Sequence, residues 1–282
     1  METLKKYLNQ VWEGDCLEIM QHFPDQSIDL VLSDLPYGIT CNAWDAIIDF
    51  DRLWTLYSRI VKPHGAILLT GQGVFTGMLI SSNFSMFKYK FVWIKASPTN
   101  FLNARKQPLR KHEDICVFYK EPPVYHPQMQ KSQPYDKGAS SNKRTSNYGE
   151  YNSKNRRVSK GLRYPTDVIF NDDGAPYHSE DWVYFRPAYS EDGISLHPCQ
   201  KPISLGRYLV RTYSNEGDVV LDNACGSGSF LVAALMEKRN FIGIELNRLQ
   251  RISPDKIIDC IELCNRRIQN ATNNKNINPP LF

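Results

Sequence analysis

The stretch 218–245 constrains the fold more than any other part of the chain: DVVLDNACGSGS, then an apolar segment over 230–238, then NFIGIE. It reads as strand, glycine-rich turn, helix and second strand, and two strands joined through a crossover helix run parallel, with both faces of their sheet covered. Gly226 and Gly228 let a ligand come close to the backbone, while Glu245 offers two oxygens to a ribose diol. A dinucleotide fingerprint needs a third glycine where Leu231 stands, and the Gly-Lys-Ser/Thr of a phosphate loop is absent. An adenosine-bearing ligand without a pyrophosphate therefore fits better than a nicotinamide cofactor or ATP.

The same alternation recurs earlier. Strands are expected over 10–15, 28–33, 66–70, 89–94 and 115–119, and helices over 16–22 and 49–61, the latter stopped by Lys62-Pro63-His64-Gly65. A helix over 203–213 precedes the glycine turn, an amphipathic one over 255–269 follows it, and 270–282 reads as a disordered tail. This pace argues for an α/β fold with a mostly parallel sheet. Residues 97–106, polar and rich in breakers, read as a mobile loop at the rim of a site, with His112 and Glu113 as structural residues at the next strand entrance. The residues at 247–254 between the Glu245 strand and the last helix have no counterpart in the repeating pattern.

At the end of the 28–33 run stands Asp34-Leu35-Pro36-Tyr37-Gly38. Proline donates no ladder hydrogen bond, so the strand must stop there, projecting a carboxylate, a rigid carbonyl and an aromatic ring. Asp34 and a neighbouring carbonyl can accept from an exocyclic NH2 group while Tyr37 stacks on the ring that bears it. An aspartate with a reference pKa of about 3.9 cannot deprotonate a neutral aromatic amine. Its work would be to orient the nitrogen lone pair and take a proton once nitrogen is cationic. Taken alone, the pentapeptide also suits an ordinary strand-to-turn junction.

A net charge of +4 does not by itself indicate a polyanionic partner, and its distribution is more informative. Between Lys131 and Arg163 nine basic residues face only Asp136 and Glu150, with tyrosines 135, 148, 151 and 164 among the cations. Such a segment is either a solvated insertion or a nucleic-acid surface where cations meet phosphates and rings meet bases. The seven cysteines form no Cys-x-x-Cys pair and the six histidines do not cluster, so free thiols in a reducing cytoplasm and no metal site are expected. No apolar run approaches the ~18 residues of a membrane helix, and the first residues lack a secretory signal.

Asp34-Leu35-Pro36-Tyr37 resembles the Asp-Pro-Pro-Tyr catalytic motif of amino-group DNA methyltransferases, with Leu35 in place of the first proline. Residues 222–229 resemble the S-adenosylmethionine loop of that family, with Asn223-Ala224 where its members usually have Pro-Phe, and His197-Pro198-Cys199-Gln200-Lys201-Pro202 resembles the segment before it. The catalytic motif precedes the cofactor loop, which is the permuted order of the beta-type enzymes. The resemblance implies a Rossmann-like methyltransferase fold and transfer of a methyl group from S-adenosylmethionine to adenine N6 in flipped-out duplex DNA. Cytosine N4 is the nearest alternative, although Ser usually leads the motif in those enzymes; a non-catalytic nucleic-acid-binding protein is a more distant one. It also implies roles. Asp34, Pro36 and Tyr37 would be catalytic; Asp222 would hold the methionine end, with Lys201 nearby, Glu245 the ribose and Asp15 the adenine amino group, around Gly226 and Gly228.

Residues 1–120 and 196–270 would then form one methyltransferase domain, 121–195 an inserted target-recognition region and 271–282 a disordered tail. Lys143, Arg144, Lys154, Arg156, Arg157, Lys160 and Arg163 would contact DNA. A homodimer and a cognate restriction endonuclease are partners the resemblance allows.

Overall fold

The structure, a computed structural model, describes residues 2–39, 45–136, 138, 158–171, 183–185, 199–246, 248–253 and 256–273. The first part of the chain runs through α1 (Glu2–Lys5), β1 (Gln10–Glu13), α2 (Cys16–Ile19, continued by a 3-10 turn, Met20–His22), β2 (Ile28–Ser33), α3 (Phe50–Ile60), β3 (Val61–Gly71) and α4 (Val74–Ser82). A long hairpin follows, β4 (Phe87–Thr99) and β5 (Arg110–Phe118), with a 3-10 turn, Phe101–Asn103, at its tip. The middle holds β6 (Gln130–Lys131), β7 (Tyr135–Asp136), β8 (Val158–Ser159), β9 (Leu162–Arg163), β10 (Val168–Asn171) and β11 (Val183–Phe185). The last part is α5 (Ile203–Tyr213), β12 (Val219–Asp222), α6 (Ser229–Met236), β13 (Asn240–Glu245), β14 (Leu249–Ser253), β15 (Lys256–Asp259) and α7 (Cys260–Asn273).

Nine strands form one sheet in the order β1-β13-β12-β2-β3-β5-β4-β10-β11. Its pairings are parallel except for those of β5, which runs against both neighbours. Helices cover both faces, so the central strands bury apolar side chains on both: Val31, Ile67 and Leu69 pack on one side with Leu53, Tyr57 and Met20, while Leu30, Leu32 and Leu68 pack on the other with Leu205, Leu209 and Phe230. That two-sided burial explains the unbroken apolar runs. Among the described residues no helix is long and apolar enough to cross a membrane.

The pairing that matters most joins distant parts of the sequence. β12 lies beside β2 in parallel, Val220 opposite Leu30 and Leu221 opposite Val31. Both strands therefore end at the same edge of the sheet.

Several expected boundaries move. The strand expected over 10–15 ends at Glu13, and Asp15 instead caps α2 by accepting the Leu17 N–H at 2.8 Å. The Lys62–Gly65 stop lies inside β3, which begins directly at Val61. Residues 97–99, expected in a mobile loop, belong to β4, and the tip beyond them is a hydrogen-bonded 3-10 turn. Within the unexplained 247–254 segment, Leu249–Ser253 forms one strand of an antiparallel hairpin, β14–β15, and the last helix starts at Cys260 and runs to Asn273, taking 271–273 out of the expected tail. Across 121–195 the regular pattern fades only in part, because β10 extends the main sheet alongside β4.

Close packing around α6 rests on glycines. A Cβ on Gly243 would meet Leu231 Cδ1 at 2.4 Å, so the glycine that lets helix and strand approach stands on the strand, opposite the leucine that displaces it from the helix. Gly228 has φ +76°, and a Cβ there would lie 2.2 Å from Cys264 Sγ on α7. Gly228 thus serves packing against the last helix. Gly226, at φ +48°, has open space where a Cβ would go. Gly228→Ala should lower the melting temperature markedly, with overpacking of about 1–3 kcal/mol added to backbone strain. Gly226→Ala should lose only the strain, roughly 1 kcal/mol; thermal unfolding of the two variants side by side checks the ranking.

Candidate active site

The carboxyl ends of parallel strands form the edge where open α/β sheets bind ligands. Here that edge is acidic: Asp34 follows β2, Asp222 ends β12, Glu245 ends β13 and Asp15 follows β1. All four line one cleft of about 510 Å³, together with Pro36, Tyr37, Lys201 and Gly226. Residues separated by nearly the whole chain thus share one cavity because β2 and β12 are neighbours.

One half of the cleft is built on the glycine turn. Asp222 is buried, and its Oδ1 accepts from Ser33 Oγ at 2.8 Å and from the Ala224 N–H at 3.3 Å. Burial pushes its carboxyl up to about 7 against those two hydrogen bonds, with Asp34 and Glu245 adding like charge. Glu245 Oε2 accepts the Gly226 N–H at 2.8 Å, and Oε1 accepts from Gln250 Nε2, on the β14–β15 hairpin, at 3.3 Å. Asn223, where a proline was expected from the resemblance, is buried: its Oδ1 accepts from Tyr57 OH at 2.6 Å, and its side-chain amide reaches Cys16 Sγ at 3.4 Å. Ala224 adds only a methyl group to the wall. This half suits an adenosine-type cation: a desolvated carboxylate with hydroxyl and amide partners waits for positive charge, and the turn leaves room above Gly226.

The other half centres on Asp34. Its Oδ1 accepts from the Thr70 hydroxyl and from Tyr37 OH at 2.9 Å, and its Oδ2 accepts from Lys201 Nζ at 2.5 Å. Lys201, expected beside the cofactor, lines the shared cleft and is anchored on Asp34 and on Glu113, 3.3 Å away. Lys95 meets Glu113 from the other side at 2.9 Å. Two ammonium groups thus face two carboxylates. Burial opposes the charge on Glu113, yet Lys201 and Lys95 hold its carboxyl below the usual carboxylate range. Burial likewise opposes the Lys201 ammonium, and Asp34 and Glu113 more than compensate.

The Tyr37 ring stacks on Phe75 with centroids 4.7 Å apart and planes at 26°. Burial, with Asp34 and Glu113 adding to it, pushes its phenol well up. Behind the motif, Asp45 accepts the N–H groups of Gly38 at 2.8 Å and Ile39 at 2.9 Å, pinning the turn.

Thr70, Lys95, Glu113 and Gln250 were not marked as site residues by the sequence. Thr70 ends the strand next to β2 and Glu113 lies on β5, positions that only the strand order reveals. Of the basic residues assigned to DNA, Lys143, Arg144, Lys154, Arg156 and Arg157 lie outside the described residues. Lys160 is exposed. Arg163 is engaged within its own segment, its guanidinium 4.3 Å from the Tyr135 ring and donating to Gln133 O at 3.1 Å and Ser159 Oγ at 3.0 Å.

Comparison with known proteins agrees with this geometry. The sequence model of the DNA methylase family (N6_N4_Mtase) matches residues 28–251. The Type II methyltransferase M2.MboI of Moraxella bovis is 23% identical over 93% of this chain and 88% of its own length. DNA adenine methyltransferase YhdJ of Escherichia coli (strain K12) is 26% identical over 83% and 77%. Among solved structures, PvuII DNA methyltransferase (cytosine-N4-specific) superposes with a TM-score of 0.57 at 15% identity, covering 92% of each chain. The M1.HpyAVI–SAM complex superposes at 0.53 and 18%, covering 92% of this chain and 98% of that one.

The Asp222 carboxyl carries a proton in the fold up to about pH 7, whereas in the unfolded chain it releases it near the reference value of about 3.9. Its contribution to stability is therefore full below about pH 4 and lost as pH rises through about 7. Asp222→Asn keeps an oxygen for Ser33 and Ala224 and removes the charge. The variant should melt close to the wild type at pH 5 and above it at pH 8.5, as followed by calorimetry without ligand.

Proposed function

We propose, for a chain that belongs to the DNA methylase family, that it moves a methyl group from S-adenosylmethionine to the exocyclic N6 of adenine in duplex DNA. The observation that carries this reading is the shared cleft, lined both by the Asp34 carboxylate and by Asp222, Gly226 and Glu245. The order of the two along the chain, Asp34 before Asp222, supports reading it as a permuted, beta-type member. In the same reading 1–120 and 196–270 form the methyltransferase domain and 121–195 the target-recognition region.

When bound, S-adenosylmethionine supplies an electrophilic sulfonium methyl, so the protein's task is alignment. Asp222 would take the methionine ammonium, Glu245 the ribose hydroxyls, and Asp15 the adenine amino group of the cofactor. Asp34 would accept a hydrogen bond from the target amine, turning its lone pair out of conjugation, and receive a proton after nitrogen has formed its fourth bond. Lys201 pins Asp34 Oδ2 and so fixes the rotation of the carboxylate. Oδ1 is held by Thr70 and Tyr37, so an incoming amine displaces one of these hydroxyls. Phe75 backs the Tyr37 ring, on which the extruded base would stack, with Lys201 Nζ 5.9 Å from the ring centroid. Extrusion costs on the order of a few kcal/mol, which stacking of about 1–3 kcal/mol offsets in large part.

The test is incubation with unmethylated duplex DNA and labelled S-adenosylmethionine, followed by digestion to nucleosides. N6-methyladenine is expected; N4-methylcytosine would move the assignment to the other amino-group substrate, and unlabelled DNA would overturn it. Asp34→Ala should lose at least about a hundredfold in kcat, the order of a lost electrostatic and proton-accepting group, and Tyr37→Ala should be crippled too, both with DNA binding largely intact. Neutralising Arg156 and Arg157 should weaken DNA binding and flatten its salt dependence by up to about 2 in log–log slope, measured by filter binding across a salt series.

A further inference from the structure

The tip of the β4–β5 hairpin has no part in the site as described so far. Its walls do: Trp93, Lys95 and Thr99 of β4 and Glu113 of β5 line the cleft, so the tip, beginning one residue beyond Thr99, stands on the cleft's lip. There Asn100 takes a left-handed conformation at φ +71° and the chain winds into a 3-10 turn. The turn is held by Asn103 N–H to Asn100 O at 3.1 Å, Asn103 Nδ2 to Asn100 Oδ1 at 2.7 Å, and Lys106 N–H to Asn103 O at 2.8 Å. This ordered turn presents Phe101 and Leu102 to solvent, 76% and 85% exposed. Two adjacent large apolar side chains so exposed on a hydrogen-bonded turn are not explained by the packing of the fold. From 100 to 111 the chain has no acidic residue and four basic ones, Arg105, Lys106, Arg110 and Lys111.

We propose that this tip is the part of the protein that enters the duplex: Phe101 and Leu102 wedge into the base stack and fill the space left by the extruded nucleotide, while the four cations hold the flanking phosphates. The inference rests on the DNA methyltransferase reading above and adds to it a flipping element outside the 131–163 segment. Its physical basis is direct. An extruded base leaves an apolar gap between its stacking neighbours, and apolar side chains inserted between base steps are the known physical remedy. A wedge must be rigid, exposed and next to the pocket that receives the base, and it must be surrounded by positive charge so that the duplex is drawn onto it. The tip meets each condition.

The test uses the full chain, duplex DNA and labelled S-adenosylmethionine. With Phe101→Ser and Leu102→Ser together, cofactor affinity should be unchanged, duplex affinity should change less than about threefold, and kcat on duplex DNA should fall about tenfold or more, the scale of a lost stacking contact. Phe101→Trp with Leu102→Met, which keeps the bulk, should restore most of that loss. Separately, replacing Arg105, Lys106, Arg110 and Lys111 by Ser should weaken duplex binding and reduce its log–log salt slope by up to about 3.6. A serine variant with wild-type kcat, a bulky variant no better than the serine one, or an unchanged salt slope would overturn the assignment. So would a dimer of the wild type that dissociates in the serine variant at unchanged kcat, since the tip would then be a contact between copies. If the wild type itself leaves DNA unlabelled, the methyltransferase reading falls; if it labels DNA and the serine variant does so equally fast, only the wedge falls.

Discussion

The site depends on the parallel pairing of β2 with β12. Because these strands point the same way and stop at the same level, the residues after them meet, and the Ser33 hydroxyl bonds directly to Asp222 across 189 positions of sequence. Shift that register by one residue and Asp222 would turn from the cleft into the helix layer. The apolar side chains of both strands, buried on both faces, make such a shift prohibitively costly. Catalytic geometry is thus inherited from core packing.

Around this seam the two halves of the cleft manage charge differently. On the Asp34 side, carboxylates and ammonium groups neutralise one another before any ligand arrives, so orientation is fixed in advance. On the Asp222 side a carboxylate is buried among hydroxyl and amide partners, and the surrounding acids make it worse. One half is preorganised; the other is strained in a way that a cationic ligand relieves. This division suits an enzyme whose donor carries the positive charge and whose acceptor is neutral.

The sheet, the glycine turn and the strands Ile28–Ser33 and Asn240–Glu245 were legible because burial on both faces leaves unbroken apolar runs bounded by turn residues. The helix Val74–Ser82 was not, since it has apolar residues all round, with Val74 and Met78 exposed opposite a buried Phe75 and Leu79, and so lacks the period that marks a surface helix. Asp34, Asp222 and Glu245 could be picked out because each ends an apolar run, and Asp15 by resemblance. Thr70, Lys95, Glu113 and Gln250 could not, because their roles depend on which strands become neighbours and on a hairpin without periodic signal. Lys201 was recognised by resemblance as lying near the cofactor; its bond to Asp34 within the same cleft emerged only from the fold.

The contact between Gly228 and Cys264 bears on how the sequence can drift. Sulfur on the last helix fills the volume that any side chain on the turn would need, so the two positions form a sterically reciprocal pair. Cysteine at 264 fills this space with a small atom that also bonds the Cys225 thiol beneath the turn. Bulk added at either position must be surrendered at the other, which couples the side chains the turn can carry to those of the last helix.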